Sequence, residues 1–212
     1  MEGLRYFTRG KGFLAMASSQ AAGYFRSSPS VASPDISLGI TLFSTDKAGD
    51  PLHRFPGITI LVRLLRPLSR GEVTIASADP LAPPAIRPHY LSIEQDCDDL
   101  VAGMMASRRI MEAEPLKKYI VAEHDPGPGI ASDADMAEFL RKRGGISFHP
   151  VGTCRMGVDV EAVVDERLRV RGIERLRVVD ASIMPTIASG NTNAPTIMIG
   201  EKGADMILED NA

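Results

Sequence analysis

The chain has 212 residues, 44% of them hydrophobic and 24% charged, the balance of an ordinary globular protein with room for one or two domains. A formal net charge of −3, with Lys and Arg scattered rather than clustered, leaves no basic surface for neutralising phosphates and excludes nucleic-acid binding as the main task. No apolar run approaches the roughly 18 residues of a transmembrane segment. Residues 1–6 lack the charged start and apolar core of a signal peptide.

In chain order, residues 1–35 read as irregular, with loops at Gly10-Lys11-Gly12 and Ser27-Ser28-Pro29-Ser30. The Gly-x-Gly follows no predicted strand and lacks a third glycine, so it is not a dinucleotide fingerprint. Residues 36–42 alternate apolar with small or polar, the pattern of a half-buried strand. Residues 57–65 are β-branched and apolar. Pro67-Leu68-Ser69-Arg70-Gly71 and a second strand-like run, 72–77, follow, which predicts an antiparallel hairpin. Prolines 80, 83, 84 and 88 then force an extended connection.

A helix is predicted from Asp96 to Glu114, with Leu100, Met104 and Ile110-Met111 on its apolar face. Ser132-Asp133-Ala134-Asp135 resembles a capping box with Asp in place of Glu and opens a helix to about Arg143, which Gly144-Gly145 ends. Val163-Val164, residues 168–170 and residues 176–179 look like short strands, the last a parallel strand closed by Asp180. Residues 195–208 read as a helix with proline in its first turn. Gly200 and Gly203 each cost about 1 kcal/mol of helix propensity. Close packing against a sheet or a cofactor would explain their presence.

Two segments carry chemistry. His149 lies in Ser147-Phe148-His149-Pro150-Val151-Gly152-Thr153-Cys154-Arg155-Met156-Gly157, and Asn193 in Ser189-Gly190-Asn191-Thr192-Asn193-Ala194-Pro195-Thr196. A histidine before proline is more often structural than catalytic, yet a neutral imidazole suits removal of a hydroxyl proton near neutral pH. An asparagine-rich turn is most often a turn or a helix cap. Its chemical reading is a set of amides at a helix start, which carries about half a positive charge and takes up negative charge developing in a redox step. Asp180 is either a turn aspartate or a carboxylate at a strand end, where ligands of open α/β sheets gather.

No metal set is expected. Cys154 follows His149 by five residues, but His53, His89 and His124 are not spaced as partners. A Ser147–His149 nucleophile–base pair lacks both a nucleophile elbow and an orienting acid. Cys97 and Cys154 are far apart and form no CxxC pair, so no disulfide framework is expected and a reducing, cytoplasmic compartment is the default.

Three ordered motifs resemble the C-terminal half of the glucose–methanol–choline (GMC) family of flavin-dependent oxidoreductases. They are His149-Pro150-Val151-Gly152-Thr153-Cys154-Arg155-Met156-Gly157, then Leu176-Arg177-Val178-Val179-Asp180-Ala181-Ser182-Ile183-Met184-Pro185, then Gly190-Asn191-Thr192-Asn193-Ala194-Pro195-Thr196-Ile197-Met198-Ile199. Arg66-Pro67-Leu68-Ser69-Arg70-Gly71 and Ser77-Ala78-Asp79-Pro80 resemble the family's substrate domain. The resemblance covers nearly the whole chain and is weakest over residues 1–35.

The resemblance implies an α+β chain in three parts. Residues 1–35 would be an irregular segment linking from an absent FAD domain. Residues 36–144 would be an antiparallel-sheet cap that binds substrate, and residues 145–212 the C-terminal strands and helix of the FAD-binding α/β domain. It implies His149 as catalytic base and Asn193 as its hydrogen-bonding partner, with FAD contacted by Asp180, Ala181, Asn191, Thr192, Ala194, Pro195 and Thr196. The implied reaction oxidises a small-molecule alcohol, choline-like or aliphatic, with hydride going to flavin N5.

The family's N-terminal dinucleotide fingerprint is missing, so the chain resembles about the last two-fifths of a full enzyme. Alone it is expected to hold FAD poorly or not at all, with a separate N-terminal FAD-binding half as the implied partner. The rival readings are a non-enzymatic remnant that persists as a binding module, and a metal-dependent hydrolase built on His149, His124 and aspartates.

Overall fold

The computed structural model describes residues 2–17, 19–47 and 49–211. Its larger sheet is three-stranded and antiparallel, β1 (Ser19–Phe25), β2 (Ile36–Thr41) and β3 (Thr59–Leu64), in the order β1-β2-β3. Ile36 pairs with Phe25 on one side and Leu64 on the other, so β2 is central. Its alternation predicts one wet face. Instead five of its six residues are buried, Ile36 and Leu38 among them, because a central strand under packed neighbours has no wet face. Gly39 meets this crowding: a β-carbon there would lie 3.2 Å from Ser19 Oγ and 3.4 Å from Arg63 Nη1.

Residues 1–35 are not irregular throughout. They contain α1 (Glu2–Arg9), a 3₁₀ turn (Phe13–Ala15) and β1. Ser19-Gln20-Ala21-Ala22-Gly23 has little strand propensity, and β1 forms because β2 supplies its ladder. Gly10 and Gly12 take positive φ in the turn that leaves α1.

α2 (Glu94–Met111) contributes Cys97, Val101 and Ala106 to the core. The predicted face was set about a position off: Ile110 is exposed, and Gly103 is the close contact. A β-carbon at 103 would lie 2.7 Å from Val62 Cγ1 and 3.1 Å from Ile36 Cγ2. The short α3 (Glu114–Lys117) follows, and Arg108 of α2 then ties down the next loop. Its guanidinium pairs with Glu123 at 2.8 and 2.9 Å and donates to the Ile130 carbonyl at 2.6 Å and the Gly127 carbonyl at 3.2 Å. α4 (Asp133–Arg143) starts where the capping motif places it, with the Ser132 hydroxyl accepting from the Asp135 amide at 3.1 Å. Met136 and Leu140, one turn apart, are its buried residues.

The predicted hairpin does not form. β4 (Glu72–Thr74) pairs with β5 (Ala85–Arg87), and β3 pairs with β2. The connection is pinned away from hairpin geometry by Asp96, which is 2% exposed and accepts from the Leu68 and Ser69 amides at 2.7 Å each and from the Ser69 hydroxyl at 2.5 Å. Gly71 then passes so close to the Arg87 and Pro88 carbonyls that no side chain fits.

The last third has no parallel strand ending at Asp180. It is built from turns joined by isolated bridges, Met156 to Val164, Val164 to Val170 and Arg169 to Arg177, the last two antiparallel. Its core is Val164, Leu168, Ile183, Met184 and Ile199, the last from α5 (Asn193–Asp210). The structure therefore divides into two compact units. One holds residues 1–64 and 97–145; the other holds 65–96 and 146–212, with the division passing through α2. The segment 65–96 thus goes with the last third rather than with the sheet.

Candidate active site

The histidine motif is folded onto the Asp180 motif by backbone contacts. Phe148 adopts φ 56° and Gly152 φ 88°, and a β-carbon at 152 would lie 3.3 Å from the Met184 carbonyl oxygen. Beyond this turn the Cys154 amide donates to the Ser182 carbonyl at 3.0 Å and the Met156 amide to the Ile183 carbonyl at 2.8 Å. Val151 and Met156 rest on the unit's core. Asp180 opens the 3₁₀ turn Ala181–Ile183 by accepting the Ser182 amide at 2.7 Å, and its carboxylate is otherwise exposed.

The third motif arrives on α5. Gly203 lets that helix lie against Val179, whose Cγ1 would overlap a β-carbon at 203. No such contact stands at Gly200, where nothing lies within 4 Å, so packing explains one helical glycine and not the other. The loop before α5 is fixed by Arg66, whose Nη1 donates to Ser189 Oγ at 3.0 Å.

The two chemical segments meet through one hydrogen bond: His149 Nδ1 and Thr192 Oγ1 lie 2.9 Å apart. Thr192 is 8% exposed and His149 is half-buried, so the bond is sheltered from competing water. Thr192 is also the residue that caps α5, but its hydroxyl is used on His149 and no side chain caps the first turn. The Thr196 amide and hydroxyl both donate to the Thr192 carbonyl, at 3.0 and 2.7 Å. Pro195 has no N–H, so the amides of Asn193 and Ala194 have no partner within the helix.

Asn191, Asn193 and Ala194 are exposed at this helix start, with Pro195 and Thr196 half-buried beside them in sequence; Ala181, in the 3₁₀ turn, is half-buried as well. The residues singled out from the sequence thus stand in one unit, on three segments sharing one core. The His149–Thr192 bond was not foreseen. Its signal was a β-branched hydroxyl residue at a cap position, which reads first as a cap.

The loop leaving the histidine motif is clamped by a bidentate pair, Arg155 to Asp159 at 2.6 and 2.8 Å. The hydrogen bonds from Arg155, opposed by desolvation and helped by the Glu161 amide, hold the Asp159 carboxyl well below the usual range.

His53 and His124 do meet, with Asp46, in a group whose ligand atoms lie within 4.8 Å of one another. Among the described residues His149 belongs to no such group, which removes the ligand set of the metal-hydrolase reading.

These motifs match known proteins. A GMC oxidoreductase family model covers residues 67–200. The chain belongs to the GMC oxidoreductase family. It is 40% identical over 203 residues to the alcohol dehydrogenase [acceptor] of Pseudomonas putida, covering 96% of this chain and 37% of that protein. It is 43% identical over 205 residues to an oxygen-dependent choline dehydrogenase of Klebsiella pneumoniae, covering 97% and 37%. Among solved structures, a formate oxidase variant from Aspergillus oryzae RIB40, made to study FAD modification, superposes with a TM-score of 0.89 at 26% identity over 99% of this chain and 41% of that one. Pyridoxine 4-oxidase from Mesorbium loti superposes with a TM-score of 0.78 at 31% identity, covering 89% and 37%. The GMC chain described here thus spans 37% of the length of these curated relatives. Among the described residues no helix is long and apolar enough to cross a membrane.

Proposed function

We propose that this chain supplies the catalytic pair of an FAD-dependent oxidation of an alcohol to an aldehyde or ketone, His149 acting as base and Asn193 as hydrogen-bond partner of the alcohol oxygen. The observation that carries this reading is the 2.9 Å bond between His149 Nδ1 and Thr192 Oγ1, which joins the imidazole to the residue preceding Asn193. In the tautomer whose Nδ1–H donates a hydrogen bond to Thr192 Oγ1, Nε2 keeps its lone pair and accepts the hydroxyl proton. A carboxamide on an exposed first residue of a helix holds the alcohol oxygen as negative charge builds there, aided by the uncapped amides beside it.

The residues present fit part of a flavin site. The uncapped start of α5, with Asn191, Thr192, Ala194, Pro195 and Thr196, offers donors to an electron-rich ring edge, and the exposed Asp180 carboxylate beside Ala181 offers acceptors to sugar-like hydroxyls. When bound, FAD supplies the acceptor for the hydride that leaves the alcohol carbon. The names of the relatives favour choline or another alcohol as substrate.

Replacing His149 by Ala in the flavin-loaded enzyme should lower alcohol oxidation about 10²- to 10⁴-fold while leaving flavin absorbance in place. Unchanged turnover would end the assignment. A second reading is a binding module that holds no FAD by itself. Flavin absorbance of the purified 212-residue chain separates the two: stoichiometric flavin removes the second reading, and its absence supports it.

A further inference from the structure

We propose that Asp46, His53 and His124 form a binding site for a borderline divalent cation, with zinc the ion that fits. The group lies in the sheet unit, apart in sequence from every residue assigned to alcohol oxidation. Asp46 and His53 belong to the long loop between β2 and β3, and His124 to the loop between α3 and α4. One ligand atom from each lies within 4.8 Å of the others.

The arrangement has the features of a prepared ligand set. His53 Nε2 already stands 3.4 Å from Asp46 Oδ1, close to the roughly 3.4 Å that separates two ligands of a tetrahedral zinc with bonds of about 2.05 Å. His53 Nδ1 lies 3.0 Å from Ser44 Oγ. A proton held on Nδ1 by that hydroxyl directs the Nε2 lone pair toward Asp46, which is how the outer partner of a metal-bound imidazole sets its tautomer. The backbone repeats the tie, since the His53 amide donates to the Ser44 carbonyl at 3.0 Å.

Phe55 orients both imidazoles. It stacks on His53 with centroids 4.6 Å apart and meets His124 edge-on at 5.1 Å, while the two imidazoles lie 5.0 Å apart. Asp46 and His124 are exposed, so a turn of either side chain closes the remaining gap without disturbing the core.

Two imidazole nitrogens and one carboxylate select against calcium and magnesium, which take oxygen ligands, and suit zinc, with a fourth position left for water. Arg143 is the competing cation. Its Nη2 lies 3.9 Å from Asp46 Oδ1 but 3.2 Å from Asp125 Oδ2, so it keeps a carboxylate when the metal takes Asp46. The bound ion would clip the β2–β3 loop to the α3–α4 loop, which Arg108 already anchors through Glu123 and the Gly127 carbonyl.

The test titrates the chelator-stripped 212-residue chain with zinc against a chromophoric competitor, and separately with cobalt, whose visible absorption reports tetrahedral coordination. One equivalent should bind and raise the melting temperature. His124→Ala removes an exposed ring and should weaken binding by at least about 100-fold, since even outer partners of a metal site are worth 10–100-fold. His89→Ala, at a histidine outside the group, should bind as the parent does. Absence of a tetrahedral cobalt spectrum at one equivalent overturns the proposal, as does equal affinity in His124→Ala or equal loss in His89→Ala.

Discussion

The two units hold themselves together by different means. The sheet unit rests on a continuous backbone ladder, β1-β2-β3, with helix-borne side chains such as Val101, Met136 and Leu140 in its core. The unit bearing His149 has little ladder. Its core residues Val164, Leu168, Ile183 and Met184 lie in isolated bridges, a 3₁₀ turn and irregular chain, and its order comes from single long-range bonds such as Cys154 to Ser182, Met156 to Ile183 and His149 to Thr192. Regular structure gives a rigid wall at low sequence cost. A mesh of specific turns lets three distant motifs deliver an imidazole, a carboxylate and a helix start to one unit, and it needs particular residues at many points to do so.

The largest effects should come from emptying either core. Met136→Ala, at a side chain with 0% exposure, and Ile199→Ala, at one with 5%, should each cost about 2–5 kcal/mol. Hydrogen exchange should separate them: Met136→Ala should expose the β1–β3 amides first, and Ile199→Ala those of residues 154–184. Equal loss of protection in both units from either variant would break the division between them.

A smaller effect sharpens the same contrast within α5. Gly203→Ala forces a β-carbon into Val179 and should cost about 1–3 kcal/mol. Gly200→Ala meets nothing within 4 Å and should gain about 1 kcal/mol of helix propensity. Melting temperatures should therefore move in opposite directions for two glycines one turn apart. A fall in both would mean that Gly200 also has a packing role.

What the sequence reveals follows the same line. Elements set by local chemistry were legible: the Ser132 cap, the helix that ends at Gly144 and the proline-led α5. Elements set by partners far along the chain were not. β1 has weak propensity and exists through β2, while the 72–74 strand left its expected partner because Asp96 holds Leu68 and Ser69. At the candidate site the residue types were legible, because histidine before a glycine turn and asparagine at a helix start are chemically conspicuous. The Thr192 bond that joins them was not, since His149 and Thr192 stand 43 positions apart and nothing between them specifies it. The meeting of His53 with His124 was missed for the same reason.

The smallest effect concerns acid, and it falls on the turn-built unit. Three of its carboxyls are held below the ordinary range. For Asp159 the hydrogen bonds from Arg155 lead. At Asp165 burial favours the neutral form, but the amide and guanidinium of Arg169 outweigh it; at Asp210 burial is likewise outweighed, by Arg167 and then Arg177. A depressed folded-state value means that the unfolded chain binds protons first, so these groups stabilise the fold above about pH 4 and that contribution drains away as pH falls further. The pairs are partly exposed, which keeps each contribution small and sensitive to salt. They nevertheless clamp the loop after His149 and tie residue 167 to the end of α5. In amide NMR spectra followed from pH 6 downward, resonances from residues 155–171 and 206–211 should broaden before those of β1–β3, and added salt should move that onset to higher pH. Loss of the sheet resonances first would show that the ladder, and not the mesh of turns, is the acid-sensitive part.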